Sequence, residues 1–146
     1  MALSKQYFAE NEEQLFFSID KLTSLLKEHC PEIGFVQLMG SAANGIVKAG
    51  SDLDLALFLI NVDVKFFDVY HKICEICDGL VPGVRIDCGL LNNCEDPVYR
   101  FEALKGVNLF RRDEEQWLRF YSIACREYEH QMIHYAKQRR YRKGEF

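Results

Sequence analysis

Near the start of the chain, apolar residues recur every three or four positions. These residues are Leu15, Ile19, Leu22 and Leu26. The spacing predicts an amphipathic helix from about Asn11 to His29, and Pro31 ends it because proline cannot continue a helix. Residues 33–39 are mostly apolar and partly β-branched, which predicts a first strand that is largely buried.

The middle of the chain alternates between strand and helix patterns. Residues 41–47 leave room for at most two helical turns, and residues 52–60 predict a second strand that is apolar after its first carboxylates. A helix follows, for which Asp63 is the expected N-cap and Gly79 the C-terminal stop. Residues 84–91 predict a third strand.

Two further helices complete the pattern. Asp96 and the proline after it begin a helix that runs to about Lys105. Asp113 and Gln116 resemble a capping box at the start of the last helix, which leads into a basic tail at residues 137–143. The apolar stripe of the last helix consists of Trp117, Phe120, Tyr121, Ala124, Cys125, Tyr128, Met132 and Tyr135.

This order of elements predicts an α/β (α+β) fold in which helices flank a small mixed β-sheet. The chain has 146 residues, 49% hydrophobic and 27% charged, which is typical of one globular domain with a single substantial core. We therefore expect one domain over residues 1–146, with the C-terminal helix and basic tail starting at about residue 113.

Charge and hydropathy narrow the function classes. The net charge of -4 gives no reason to expect direct nucleic-acid binding. No apolar run approaches the roughly 20 residues of a membrane span. The first residues lack the apolar core of a signal peptide, so we expect a cytoplasmic protein that does not contact membranes.

The cysteines and two histidines are weak candidates for metal binding. The cysteines are scattered through apolar patterns and are expected to act as small buried residues. They are Cys30, Cys74, Cys77, Cys88, Cys94 and Cys125. Cys74 and Cys77 form a CxxC inside a helical pattern without a second pair, which disfavours zinc. His130 and His134 lie one helical turn apart, but a solvated helix face is the favoured interpretation.

Asp52 and Asp54 begin the second strand and should point to the same face, because strand side chains alternate. Two adjacent carboxylates repel each other, and a divalent cation such as magnesium or manganese relieves that repulsion. The alternative is that Asp52 caps a turn while Asp54 faces solvent. The Asp-x-Asp pattern alone leaves the two interpretations about even.

Gly40 and Ser41 follow the first strand and precede a short helix. Free backbone N–H groups and a hydroxyl at such a point can bind a phosphate. An ordinary glycine turn with a serine N-cap would look the same. A phosphate-binding turn and a carboxylate pair on consecutive elements are, however, much less expected by chance.

Gly40-Ser41, ten intervening residues and Asp52-Leu53-Asp54 resemble the signature of polymerase-beta-type nucleotidyltransferases. The short chain resembles their minimal form, the MNT domain, over roughly residues 33–91. The resemblance implies a polymerase-beta-like nucleotidyltransferase fold, nucleotide binding by Gly40 and Ser41, and two Mg²⁺ ions held by Asp52 and Asp54. It also implies a third carboxylate on a later strand, and Asp87 fits that position as a catalytic and metal-binding residue.

The chain departs from the resemblance at Ala42 and Asn44, where many minimal members carry arginine. The loss of these cations predicts either weaker triphosphate binding or binding of the triphosphate by another basic residue. Lys48, Arg111 and Arg112 are candidates, although a solvated surface position is the favoured interpretation for each.

Many stand-alone minimal members resemble the antitoxin of HEPN–MNT toxin–antitoxin pairs. That resemblance implies transfer of AMP from ATP to a tyrosine hydroxyl of a HEPN toxin, a ribonuclease, which silences it. One alternative is a non-catalytic antitoxin that binds and occludes its toxin. Another is a small-molecule nucleotidyltransferase of the antibiotic-modifying type, for which so short a chain would have to complete its pocket by dimerising.

Overall fold

The structure is a computed structural model that describes residues 14–48 and 50–144. Strands and helices alternate along most of the chain. In order they are β1 (Gln14–Phe16), α1 (Ile19–His29), β2 (Ile33–Met39), a 3₁₀ helix (Gly40–Asn44), β3 (Ile46–Lys48), β4 (Leu53–Leu59), α2 (Phe66–Leu80), β5 (Ile86–Leu90), α3 (Pro97–Leu104), β6 (Val107–Arg111) and α4 (Glu114–Arg142).

The main sheet has four strands in the order β5-β4-β2-β6. β2 runs antiparallel to both β4 and β6, whereas β4 and β5 are parallel. β1 and β3 form a separate two-stranded antiparallel sheet. The predicted small mixed sheet with flanking helices is therefore confirmed.

Side chains along β4 point alternately to the two faces of the sheet, and a separate hydrophobic core lies on each face. Leu53, Leu55 and Leu57 pack with α1 and α2 in the larger core. Ala56, on the opposite face, packs with α3 and α4 around Phe35 in a smaller core. The carboxylate of Asp54 shares a face with Ala56, so it lies on the side covered by α3 and α4.

The first helix is shorter than predicted. It begins at Ile19, and Ser18 caps it by accepting a hydrogen bond from the Lys21 N–H. Leu15 lies in β1 and pairs with Val47 instead of continuing the helical stripe. Pairing with β3 overrides the periodicity here, and residues 11–13 of the predicted helix lie outside the described residues.

Elements later in the chain also differ from the predictions. α2 follows Lys65, so Asp63 is not its N-cap, and it continues one residue past Gly79. β6 was not predicted, because Asn108 interrupts a five-residue segment whose partner β2 lies far away in sequence. The basic tail is helical, since α4 extends to Arg142.

The N-cap of α4 is confirmed, as Asp113 accepts hydrogen bonds from the backbone N–H groups of Glu115 and Gln116. Only the first half of α4 contributes buried side chains, namely Trp117, Phe120 and Ala124. None of the helices described here is both long enough and apolar enough to cross a membrane.

Candidate active site

The sheet brings the predicted carboxylates to one edge. Asp54 and Asp87 are paired residues in the parallel ladder of β4 and β5, so their side chains start side by side. Asp52 lies two residues before Asp54, just outside β4. Buried Leu53 and Leu55 fix the face on which Asp54 emerges, because a one-residue slip would bury the carboxylate.

Asp52, Asp54 and Asp87 each offer a carboxylate oxygen, and these oxygens lie within 4.8 Å of one another. Among the described residues no other cluster of three such groups could hold a metal ion. Burial raises the pKa of Asp54, and the charges of Asp87 and Asp52 raise it further. An all-oxygen donor set with this mutual repulsion fits magnesium or manganese.

Arg85 supplies a countercharge that the sequence pattern does not predict. Its Nε and Nη2 donate to the two carboxylate oxygens of Asp52 at 3.1 and 3.3 Å. The hydrogen bond to Asp52 raises the pKa of Arg85. The guanidinium is mostly exposed, so the ion pair is accessible to solvent and another cation can replace Arg85 as the partner of Asp52.

Gly40 lies against the acidic cluster. Its φ of 71° falls in the left-handed region, which favours glycine. A Cβ at this position would approach Asp54 Oδ2 to 2.9 Å, so a side chain would crowd the carboxylate. Ser41 follows in the first turn of the 3₁₀ helix and is exposed.

A cavity of about 400 Å³ opens beside these residues. Its lining combines the end of β2, the carboxylates of β4 and β5, and one side of α3. The lining residues are Met39, Gly40, Ala43, Asp54, Leu55, Asp87, Tyr99, Glu102, Lys105 and Gly106. The cavity is large enough for part of a nucleotide.

Tyr99 was not identified from sequence, because an aromatic residue in a helix is usually interpreted as core. Its hydroxyl occupies the space that a Cβ on Gly89 would take. Gly89 lies two residues after Asp87 on β5, hence on the same face of the sheet. Burial raises the pKa of Tyr99, and the nearby charge of Asp87 adds to the effect.

None of the basic residues considered as alternative phosphate ligands, Lys48, Arg111 and Arg112, lines this cavity. Arg112 donates to the carbonyl oxygens of Ile33, Lys27 and Cys30, and so ties α1 to β2. Arg111 pairs with Glu114 at 2.8 Å.

The two positions that lack arginine have structural roles. Ala42 is buried in the larger core, where an arginine would not fit. Asn44 accepts a hydrogen bond from the Ile46 N–H and shapes the turn into β3.

The six cysteines are free thiols. Cys30 and Cys77 are buried, as expected, while the other four are only partly buried. Burial raises the pKa of Cys77 to about 12, which keeps this thiol protonated and unreactive. His134 interacts with Gln138 at 3.1 Å on the exposed side of α4.

A small mixed sheet that presents clustered carboxylates beside a glycine-led turn is typical of enzymes that transfer phosphate-containing groups with divalent cations. The sequence matches the profile of the family described as Polymerase beta, Nucleotidyltransferase over residues 20–115. The match covers more than half of the chain, so the protein belongs to this family. No curated protein sequence matches the chain significantly.

Solved structures with this fold include several toxin–antitoxin complexes. A mutant of the toxin–antitoxin MntA-HpeT shares 16% identity at a TM-score of 0.64, covering 80% of this chain and 91% of that chain. A toxin–antitoxin with AMP-PNP shares 16% sequence identity at a TM-score of 0.60, and the match covers 80% of this chain and 91% of that chain. The structure of a tri-AMPylated Shewanella oneidensis HEPN toxin in complex with MNT antitoxin shares 15% sequence identity at a TM-score of 0.57. That match covers 80% of this chain and 87% of that chain. These similarities confirm the predicted polymerase-beta-like fold.

Proposed function

We propose that this protein transfers AMP from ATP to a hydroxyl group of a partner protein. The observation that carries the proposal is that carboxylate oxygens of Asp52, Asp54 and Asp87 lie within 4.8 Å of one another, beside a cavity that Asp54 and Asp87 line. These residues would hold two magnesium ions, which when bound offset the charge of the phosphates and of the attacking oxygen. Membership of the nucleotidyltransferase family supports the same chemistry.

In the proposed reaction the acceptor oxygen attacks the α-phosphorus of ATP and a P–O bond forms. The bond from that phosphorus to the bridging oxygen breaks, and pyrophosphate leaves. Asp87, the exposed member of the cluster, accepts the proton of the attacking hydroxyl on a carboxylate oxygen. The N–H groups of Gly40 and Ser41 and the Ser41 hydroxyl bind the leaving phosphates.

The acceptor that we propose is a tyrosine of a HEPN toxin, for which this protein acts as antitoxin. Two complexes of similar fold support this choice, one with a tri-AMPylated HEPN toxin and an MNT antitoxin and one with AMP-PNP. α4 supports a protein partner, since large apolar side chains remain exposed along it. They include Leu118, Tyr121, Ile123, Ile133 and Tyr135.

The test is co-expression with the neighbouring open reading frame, followed by incubation of the purified complex with ATP labelled in the α-phosphate and magnesium. We expect label on a tyrosine of the partner. The double variant Asp52→Asn plus Asp54→Asn should lose the label and keep the complex. Asp63→Asn makes the same chemical change in an exposed loop and should leave labelling unchanged.

A tight complex that never acquires label would refute AMP transfer and favour an antitoxin that acts by binding alone. Label on an added small molecule instead of the partner would favour the antibiotic-modifying alternative.

A further inference from the structure

The cavity beside the acidic cluster is lined by a single cation among the residues that the structure describes. Asp54, Asp87 and Glu102 contribute negative charge, and Lys105 contributes the positive charge. A nucleoside triphosphate carries several negative charges, and cationic side chains form strong charge-assisted hydrogen bonds with phosphate oxygens. Lys105 is therefore the side chain in this lining that can attract them directly.

Strand register puts Lys105 beside the turn that begins at Gly40. β2 and β6 are antiparallel, and Leu38 pairs with Val107. Lys105 precedes Val107 by two residues, Gly40 follows Leu38 by two, and both residues line the cavity. Asp54 pairs with Met39 on the other side of β2. Gly40 thus lies between the acidic cluster and the lysine.

Gly106 makes this close approach possible. A Cβ on Gly106 would lie 2.6 Å from the carbonyl oxygen of Leu38, so a larger residue would push β2 and the end of α3 apart. The absence of a side chain lets the segment carrying Lys105 pack directly on the strand that leads to Gly40. The position of Lys105 is consequently set by the backbone.

Glu102 holds the lysine at the cavity without burying it. Lys105 Nζ donates to Glu102 Oε1 at 2.9 Å and lies 5.1 Å from the ring centroid of Phe101. Both charged side chains remain about half exposed, at 56% and 47%. A solvated pair of this kind contributes little to stability, so phosphate oxygens can replace the carboxylate as partner of the ammonium group.

We propose that Lys105 binds the polyphosphate of the nucleotide and exchanges Glu102 for phosphate oxygens when it does so. The assignment rests on the proposed function, because that function locates the leaving phosphates at Gly40 and Ser41. It identifies the triphosphate-binding cation that neither Ala42 nor Asn44 can supply.

Calorimetric titration of the purified chain, in magnesium-containing buffer and without any partner, tests the assignment. The probes are ATP, inorganic tripolyphosphate and AMP. Loss of one charge-assisted contact predicts that Lys105→Met weakens ATP and tripolyphosphate binding by roughly tenfold and leaves AMP binding nearly unchanged. Lys105→Arg keeps the charge and should retain most of the affinity.

Lys21→Met is the matched control, because it removes the same charge from the exposed surface of α1. Glu102→Gln should tighten ATP binding, since it removes the competing carboxylate. Unchanged ATP affinity in Lys105→Met would overturn the proposal, as would an equal loss of affinity for AMP in that variant. A loss of ATP affinity in Glu102→Gln as large as that in Lys105→Met would also overturn it. The titration measures nucleotide binding in the absence of a partner. Its outcome is therefore independent of whether AMP is transferred to a partner, and failure of the one proposal can be told from failure of the other.

Discussion

Asp54→Asn separates the electrostatic repulsion within the acidic cluster from the ability of the cluster to bind magnesium. The substitution keeps the shape of the side chain and removes one of three charges whose oxygens lie within 4.8 Å. Two unit charges at 4.8 Å repel by about 1–2 kcal/mol when the effective dielectric constant is about 40–80. The ion pair between Arg85 and Asp52 offsets part of this repulsion. We therefore expect the variant to be more stable than the wild type by about 1 kcal/mol without divalent cations.

Thermal and urea unfolding in the presence of a chelator measure this difference. For a chain of this size, 1 kcal/mol raises the melting temperature by about 2–4 °C. Magnesium should reverse the order of stabilities, because it binds the folded wild type. At ten times its dissociation constant the ion adds about 1.4 kcal/mol, and Asp54→Asn should gain little of this.

The pH dependence has a defined sign. The folded protein raises the pKa of Asp54 above its ordinary value of 3.8, so the folded state holds this proton more tightly than the unfolded state. Below that ordinary value the carboxyl is protonated in both states, and the penalty disappears. The stability of the metal-free wild type should therefore fall, relative to Asp54→Asn, as pH rises through the raised pKa.

Asp63→Asn is the control for both measurements, since it makes the same change in an exposed loop. Repulsion within the acidic cluster is refuted if Asp54→Asn is no more stable than the wild type in chelator. Metal binding by Asp54 is refuted if magnesium stabilises Asp54→Asn as much as it stabilises the wild type.

Two further substitutions test how the cavity is built. Gly89→Ala should cost about 1–3 kcal/mol by urea unfolding, because its Cβ would overlap the Tyr99 hydroxyl. Gly79→Ala, whose Cβ would meet open space, is the control, and equal effects of the two would contradict the packing argument. Gln37→Leu should also cost about 1–3 kcal/mol, because it removes the 3.0 Å donor to the carbonyl oxygen of Ala103 and the 2.6 Å acceptor of Asn108 Nδ2. An unchanged urea midpoint would show that this buried amide does not hold α3 against β2.

The central unit could be predicted from sequence because its signals are local. A strand, a glycine-led turn and a second strand opening with Asp52 and Asp54 all lie within residues 33–60, and the alternation of strand side chains alone assigns both carboxylates to one face. Asp87 could be assigned only through the family resemblance. Its proximity to Asp54 depends on parallel pairing of two strands that α2 separates.

The remaining features depend on contacts that periodicity does not encode. β6 and Lys105 are brought to Gly40 by antiparallel pairing across about seventy residues of sequence. Tyr99 lines the cavity because Gly89 lacks a side chain, and neither residue is unusual in its own segment. The first helix was predicted too long because the pattern around Leu15 fits a helix as well as it fits a short strand.

The third carboxylate lies on a sheet edge. β5 pairs with β4 and, within the part of the chain that the structure describes, with no other strand. Detaching an edge strand breaks one ladder of hydrogen bonds, whereas unfolding the centre of the sheet disrupts both cores, so the edge opens at a lower free energy. Each such opening moves Asp87 away, while Asp54 stays in the interior strand β4 and Asp52 stays directly before it. The fraction of time for which the acidic cluster is complete is therefore governed by the local opening of β5 and not by the global stability of the fold.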